Sequence, residues 1–196
     1  MDKTQQLRTS VRRAYSLAAE RPQNEHPFPI GRHFAEGLGY PRDLLSSLPT
    51  VSVDSFSGVS NVSLFANIPA GVTVLDLGCG AGMDSLIAAK RTGSKGKVIG
   101  VDFSHAMLSR ACRAAAELQV GNVGFYQADA ENLPIEDRSI DVALVNGIFN
   151  LNPARDAIFQ ELARVVRQGG AVYAAELILQ EPLPQEIQDS ETEWFA

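Results

Sequence analysis

The chain has 196 residues, 45% of them hydrophobic, and its 17 basic and 23 acidic residues give a formal net charge of −6 at pH 7. This length suits one domain with an appendage, and the acidic balance excludes a broad phosphate-binding surface, so no nucleic acid partner is expected. The N-terminus does not look like a secretory signal, and no run approaches the roughly 20 apolar residues of a membrane span, which predicts a cytoplasmic protein without a membrane partner.

Residues 1–70 are predicted to form an N-terminal helical or lid segment. Apolar residues recur at three- and four-residue steps over residues 4–19, which predicts an amphipathic helix. The three prolines of RPQNEHPFPIG end it. PRDLLSSLP then predicts a short helix, whereas residues 52–68 are ambiguous, polar first and helical in their second half.

Residues 71–180 alternate between short apolar runs and helical patterns. The runs VTVLDL, KVIGVD, VGFYQAD, IDVALVN and AVYAAELIL predict five strands, the last following a turn at RQGG. The segments between them predict helices, so the fold class is α/β, with a doubly wound, Rossmann-like parallel sheet. Residues 181–196 are predicted to begin a C-terminal helix, so we expect the sheet to lack further C-terminal strands.

The first strand is followed by a glycine loop, in VLDLGCGAGMD. Glycines at every second position let a ligand approach the backbone, at the end of the sheet where open α/β folds bind ligands. The spacing GxGxG differs from the GxGxxG of dinucleotide sites, and Asp76 would repel a diphosphate but would suit an ammonium group. An amino-acid end is therefore the predicted ligand of this loop.

Two more acidic residues end the next two strands. Asp102 is placed to accept hydrogen bonds from ribose hydroxyls, and Asp129 to meet an adenine amino group. Amino acid, ribose and adenine in this order describe S-adenosylmethionine.

The motifs VLDLGCGAG, VIGVDFS, YQADAENLP and DVALVNGIFNL resemble, in order and spacing, those of the class I S-adenosylmethionine-dependent methyltransferases. The resemblance covers about residues 72–179. It implies methyltransferase activity with S-adenosyl-L-methionine as cofactor and a cofactor site whose members fall into four groups. They are Asp76, Gly78, Cys79 and Gly80 at the methionine end, Asp102 at the ribose, Phe103, Met107, Asp129 and Ala130 at the adenine, and Asn146 facing the methionine moiety.

A closer resemblance, in VRRAY, NVGFYQADAENLPIEDRSIDVALVNGIFNLNP and AAELILQEPLPQEI, is to the arsenite methyltransferase group, which binds trivalent arsenic through thiolates. Gly147 stands where that group carries a cysteine, and the matching segment at residues 53–62 has none. Only Cys79 and Cys112 remain, so arsenite is not the expected acceptor. We predict transfer to an unidentified small molecule.

The catalytic residues are unknown from the sequence, and no metal cluster is evident. Candidate bases in the N-terminal segment are Tyr15, His26, His33 and Tyr40. His105 is interpreted as a solvated polar residue, Cys112 as core, and Met107 as equally consistent with simple core packing.

Two other functions stay open. One is a cofactor-binding protein or subunit without transferase activity, completed by a partner. It is suggested by the chain's end at EWFA, which would leave the fifth strand as an exposed edge through which copies of the chain would associate. The other, a nicotinamide-dependent oxidoreductase, is disfavoured by the GxGxG spacing and by Asp76.

Overall fold

The computed structural model describes residues 3–178, which form a parallel sheet flanked by helices. Five helices precede the sheet: α1 (Lys3–Glu20), α2 (Gly31–Gly37), α3 (Arg42–Ser46), α4 (Thr50–Val53) and α5 (Val62–Phe65). The alternating part follows as β1 (Thr73–Leu77), α6 (Met83–Thr92), β2 (Lys97–Asp102), α7 (His105–Glu117), β3 (Val123–Gln127), β4 (Ile140–Asn146), α8 (Arg155–Val165) and β5 (Val166–Ala175).

The strand order is β3-β2-β1-β4-β5, and every neighbouring pair is parallel. This confirms the predicted doubly wound sheet. The order reverses between β1 and β4, and such a reversal opens a crevice at the carboxyl ends of the strands. The candidate site lies there.

Side chains of β1 alternate between the two faces of the sheet, as the strand period of two requires. Leu75 and Leu77 pack in the core that contains Ile158 of α8. Val74 packs on the other side with Ala88 of α6. Asp76 therefore points from the strand toward α6, although four of the five residues of β1 are buried.

The N-terminal helices share their cores with the alternating part. Tyr40 and Leu45 pack with Leu86 of α6 and Ala114 of α7. Ala18 of α1 packs in a second hydrophobic cluster, which also contains residues of both the N-terminal segment and the alternating part. Hydrophobic cores therefore cross the boundary expected at residue 70.

The fifth strand differs from its prediction. RQGG, expected as a turn, belongs to β5, which starts at Val166 and pairs with β4 through a register shift between Ile140 and Val142. A bulge of this kind accommodates extra residues within a strand. The strand ends at Ala175, and the helix predicted over residues 181–196 lies outside the described residues.

None of the helices within residues 3–178 has the length and apolar character needed to cross a membrane.

Candidate functional site

A cavity lies at the carboxyl ends of β1, β2 and β4, beneath α1. Its empty space, open mouth included, is about 1140 Å³. Its walls are residues 76–81 of β1 and the glycine loop, the ends of β2 and β4, residues 128–131 after β3, residues 55–58, and one side of α1. Of the ten predicted cofactor residues, nine line it: Asp76, Gly78, Cys79, Gly80, Asp102, Phe103, Asp129, Ala130 and Asn146.

The glycine loop is held against the end of β2. The backbone N–H groups of Gly78 and Cys79 both donate to the carbonyl of Val101, at 2.8 and 3.0 Å. Gly78 has a φ of +76°, and a Cβ at this position would overlap Cγ2 of Ile148. Glycine is therefore required at residue 78 for both conformation and space.

Asp102 fixes the loop to the second strand. Its Oδ2 accepts from the N–H of Gly80 at 2.9 Å, and its Oδ1 accepts from the N–H of Ser104 at 2.8 Å. The residue is 8% exposed, and burial raises its pKa to about 6. Each carboxylate oxygen still has a lone pair for a ligand hydroxyl, because a carboxylate offers about four acceptor positions.

Two further carboxylates are buried beside the loop. Asp76 accepts a hydrogen bond from the hydroxyl of Ser85. Asp84 accepts from the hydroxyls of Tyr40, at 2.6 Å, and Ser63. Burial raises the pKa of both carboxyls, and the charge of Asp84 raises that of Asp76 further. Within residues 3–178, these two and Asp102 accept hydrogen bonds from neutral donors alone, so the cavity suits a ligand that carries positive charge.

Asn146 lines the cavity, but its amide is used by the chain itself. Its Oδ1 accepts from the N–H groups of Val59 and Ser60, at 2.9 and 3.1 Å. Its Nδ2 donates to the Ser60 carbonyl at 2.8 Å and to Oδ2 of Asp84 at 3.0 Å. All four positions of the amide are filled. Asn146 thus fixes residues 59–60, which directly follow Gly58 in the cavity wall.

Helix α1 covers the adenine side that the sequence predicted. Arg12 pairs with Asp129 at 2.9 Å and lies over the ring of Phe103, 5.6 Å from its centroid. Arg8 pairs with Glu131. Sequence reasoning missed both arginines, because on a helical pattern they read as solvated polar positions.

Of the candidate bases, only Tyr15 lines the cavity, and burial raises its pKa. The ring of His26 is hydrogen-bonded with the Arg21 carbonyl, and His33 lies exposed on α2. Tyr40 is buried behind Asp84, and its hydroxyl does not reach the cavity wall. The sequence patterns did not point to Asp84 as a site residue, although it stands two positions after the last glycine of the loop.

The sequence analysis also interpreted Met107, Cys112 and His105, and the structure places each of them. Met107 is 1% exposed and packs in the core with Ala18 and Phe28, so it does not line the cavity. Cys112 is exposed on α7, so its assignment to the core is wrong. His105 is exposed, as interpreted from the sequence.

The places expected for arsenic-binding thiolates hold hydrocarbon. A Cβ at Gly147 would meet Cγ1 of Val59 at 2.9 Å, so these two residues are already in close contact. Cys79 is 8% exposed, and burial raises the pKa of its thiol well above the ordinary value. No group of three potential metal ligands occurs among the residues that the structure describes.

The buried carboxyl of Asp76 predicts a pH dependence of stability. Because its pKa is raised in the folded chain, its contribution is fully present below the ordinary Asp pKa of about 4 and is lost as pH rises through the folded value. We expect Asp76→Asn to gain stability relative to the wild type as pH rises from about 5 to about 8, by about 1.4 kcal/mol for each unit by which the pKa is raised. Urea unfolding of both proteins across this range measures the difference.

The matched control for this experiment is Asp156→Asn, which changes an exposed carboxylate on α8. It measures the effect of losing a carboxylate that is not buried. A constant difference between Asp76→Asn and the wild type would contradict the raised pKa.

The doubly wound sheet, the glycine loop and the acidic ends of β1 and β2 define a nucleoside-cofactor domain of the class I methyltransferase type. The sequence profile of the family described as "Methyltransferase domain" matches residues 68–195. The chain therefore belongs to this methyltransferase-domain family.

Individual relatives agree with this assignment. The chain is 37% identical over 154 residues to an arsenite methyltransferase of Halobacterium salinarum, covering 79% of this chain and 39% of the relative. It is 38% identical over 111 residues to a demethylmenaquinone methyltransferase of Oceanobacillus iheyensis, covering 56% of this chain and 46% of the relative. The chain thus spans less than half the length of these two curated relatives.

Among solved structures, an arsenic(III) S-adenosylmethionine methyltransferase from Chlamydomonas reinhardtii aligns with a TM-score of 0.63 and 28% identity, over 86% of this chain and 58% of that one. The family and this structure imply S-adenosylmethionine as the cofactor. The buried carboxylates of the cavity fit this cofactor. The sulfonium and ammonium groups of S-adenosylmethionine are positively charged and would stabilise the ionised forms of Asp76 and Asp102, whose pKa values are raised by burial.

Proposed function

We propose that this chain binds S-adenosylmethionine in the cavity at the carboxyl ends of its strands and transfers the methyl group to a small-molecule acceptor other than arsenite. One observation carries the proposal: Asp76, Asp102 and the glycine loop face one cavity, in the order that amino acid and ribose require.

Each predicted contact has a physical reason. Asp102 holds the two ribose hydroxyls with the lone pairs that Gly80 and Ser104 leave free. Asp76 takes the ammonium group, which would also remove the cost of its burial. The methionine end lies along residues 78–80, where little side chain stands between backbone and ligand. Phe103, Asp129 and Ala130 enclose the adenine.

Within the N-terminal segment, α1 and residues 55–58 form the cover of this site. Val11 and Tyr15 of α1 line the cavity from above, and residues 55–58 line it beside the methionine end. When the cofactor binds, these residues exclude water from the sulfonium. The cofactor supplies the electrophilic methyl group, and the chain's part is to hold acceptor and methyl in line.

Arsenite does not fit as the acceptor, although two of the relatives above are named for arsenic. A soft metalloid requires several thiolates at one place. At the position where the arsenite group carries a cysteine, Gly147 lies against the side chain of Val59. The two cysteines of the chain lie elsewhere: Cys79 is a buried protonated thiol, and Cys112 is exposed on α7. We therefore expect an organic acceptor.

Calorimetric titration tests the cofactor assignment, and a labelled-methyl assay tests the acceptor. We expect saturable binding of S-adenosylhomocysteine by the wild type and by Cys112→Ser, because Cys112 lies outside the cavity. With labelled S-adenosylmethionine and arsenite, we expect no methylated arsenic from either protein.

Each outcome has a defined meaning. Absence of S-adenosylhomocysteine binding by both proteins would overturn the cofactor assignment. Methylated arsenic formed by either protein would overturn the acceptor argument alone, because it would require a thiolate site that this chain does not assemble.

A further inference from the structure

Asp84 differs from the other buried carboxylates of the cavity because the cofactor assignment leaves it without a ligand group. Asp76 is assigned to the ammonium group and Asp102 to the ribose. Asp84 also lines the cavity and is 6% exposed, yet it has no part in that scheme. A buried carboxylate is costly unless something compensates its charge.

The two oxygens of Asp84 face different surroundings. Oδ1 accepts from the hydroxyls of Tyr40 and Ser63, neither of which lines the cavity. Oδ2 accepts from Nδ2 of Asn146, which does line it. Oδ2 is therefore the oxygen on the cavity side, and with one hydrogen bond from the described residues it keeps a lone pair.

The neighbours of Oδ2 offer a ligand no free hydrogen-bond acceptor in this part of the cavity. The amide of Asn146 is fully occupied by residues 59–60 and by Asp84 itself. Ile148 and Gly58, which line the same region, offer no side-chain acceptor. The hydroxyls and the amide that hold Asp84 also fix its orientation, so the free lone pair has a set direction.

We propose that Oδ2 of Asp84 accepts a hydrogen bond from the methyl acceptor and then takes its proton, which makes the acceptor a molecule with a nucleophilic N–H or O–H group. This rests on the proposed function, since it places the acceptor beside the methyl group of the same cofactor. It makes Asp84 a catalytic residue and Asn146 and Tyr40 positioning residues.

The step balances without any further reactant. The acceptor's nitrogen or oxygen forms a bond to the methyl carbon while the carbon–sulfur bond breaks, and that bonding pair stays on sulfur. The cofactor leaves as the neutral thioether S-adenosylhomocysteine. The proton of the acceptor passes to Oδ2, and the resulting carboxylic acid later releases it to solvent. Burial raises the pKa of Asp84 above its ordinary value, which favours its acting as a base.

Sinefungin provides a probe that does not require the acceptor to be known. This cofactor analogue carries an amino group where S-adenosylmethionine carries its transferable methyl group, so its N–H groups face the side of the cavity from which the acceptor approaches. We expect the wild type to bind sinefungin more tightly than S-adenosylhomocysteine by about tenfold or more, as a charge-assisted hydrogen bond gives.

The variant Asp84→Asn should remove that preference while leaving the affinity for S-adenosylhomocysteine unchanged. The matched control is Asp156→Asn, the same change at an exposed carboxylate of α8 that does not line the cavity. It should keep the preference for sinefungin. A role of Asp84 in stability alone would not separate the two ligands.

The other outcomes are distinct. If Asp84→Asn weakens both ligands equally, Asp84 serves the amino-acid end of the cofactor; if it changes neither, Oδ2 does not face the ligand. Either result overturns the proposal.

Should Asp84→Asn fail to fold, a crystal structure of the wild type with sinefungin decides, since the amine must lie within hydrogen-bond distance of Oδ2. Failure of the wild type to bind either ligand would instead overturn the proposed function.

Discussion

Replacement of Asp102 by alanine is expected to weaken binding of S-adenosylhomocysteine by about 100-fold, as loss of two hydrogen bonds to a charged acceptor implies. The carboxylate is the only part of the residue that can reach both ribose hydroxyls. It also anchors the N–H of Gly80, so the alanine variant loosens the glycine loop at the same time. Calorimetric titration of the wild type and the variant measures the loss.

Two further variants separate the contributions. Asp102→Asn keeps the shape of the side chain and loses its charge, so we expect an intermediate loss of affinity. Asp129→Ala removes a carboxylate that is 54% exposed and paired with Arg12, so its effect should be smaller than that of either Asp102 variant. Unchanged affinity in a folded Asp102→Ala protein would show that the ribose lies elsewhere.

The strands, the glycine loop and Asp102 were predictable because their signals are local. Each buried strand is a short apolar run, and Asp102 is the last residue of one of them. In a parallel sheet, residues that follow the strands meet at one edge. Strand ends therefore locate a site without knowledge of any long-range contact.

The cover of the site was not predictable in the same way. Arg12 and Asp129 are 117 residues apart, and nothing in either local sequence points to the other. The role of Asn146 depends equally on residues 59–60, from a segment that sequence patterns left ambiguous. Such contacts follow from how helices dock on the sheet, which local periodicity does not determine.

The exposure of Cys112 was readable from the sequence and was missed. The buried positions of α7 are Met107, Leu108, Ala111, Ala114 and Ala115, a stripe at helical spacing. Cys112 follows Ala111 in the sequence but lies just outside this buried stripe on the helix surface. Its alanine neighbours suggested a core position, although one of them, Ala116, lies on the exposed side of the helix as well.

Replacement of Gly78 by alanine is expected to lower the free energy of unfolding by about 3 kcal/mol, the sum of a left-handed backbone penalty and an overpacking cost. Its φ of +76° supplies the first, and the overlap of the new Cβ with Cγ2 of Ile148 supplies the second. Because this residue begins the glycine loop, the affinity for S-adenosylhomocysteine should fall as well. Urea unfolding and calorimetry measure the two effects.

Two glycine controls isolate the causes of this loss. Gly121 is exposed, has no positive φ, and has no atom within 4 Å of an added Cβ, so Gly121→Ala should leave stability nearly unchanged. Gly169 has a φ of +79° and the same open space, so Gly169→Ala should show the backbone penalty alone.

The variant Ile148→Ala completes the design by removing Cγ2, the atom that the new Cβ would meet. In the double variant Gly78→Ala/Ile148→Ala, the steric part of the cost should disappear and the backbone part should remain, which gives a favourable coupling energy of about 1–2 kcal/mol. If the two losses simply add, residues 78 and 148 do not meet at the cavity wall. The approach of the loop after β4 to the glycine loop, on which the shape of the methionine end depends, would then be wrong.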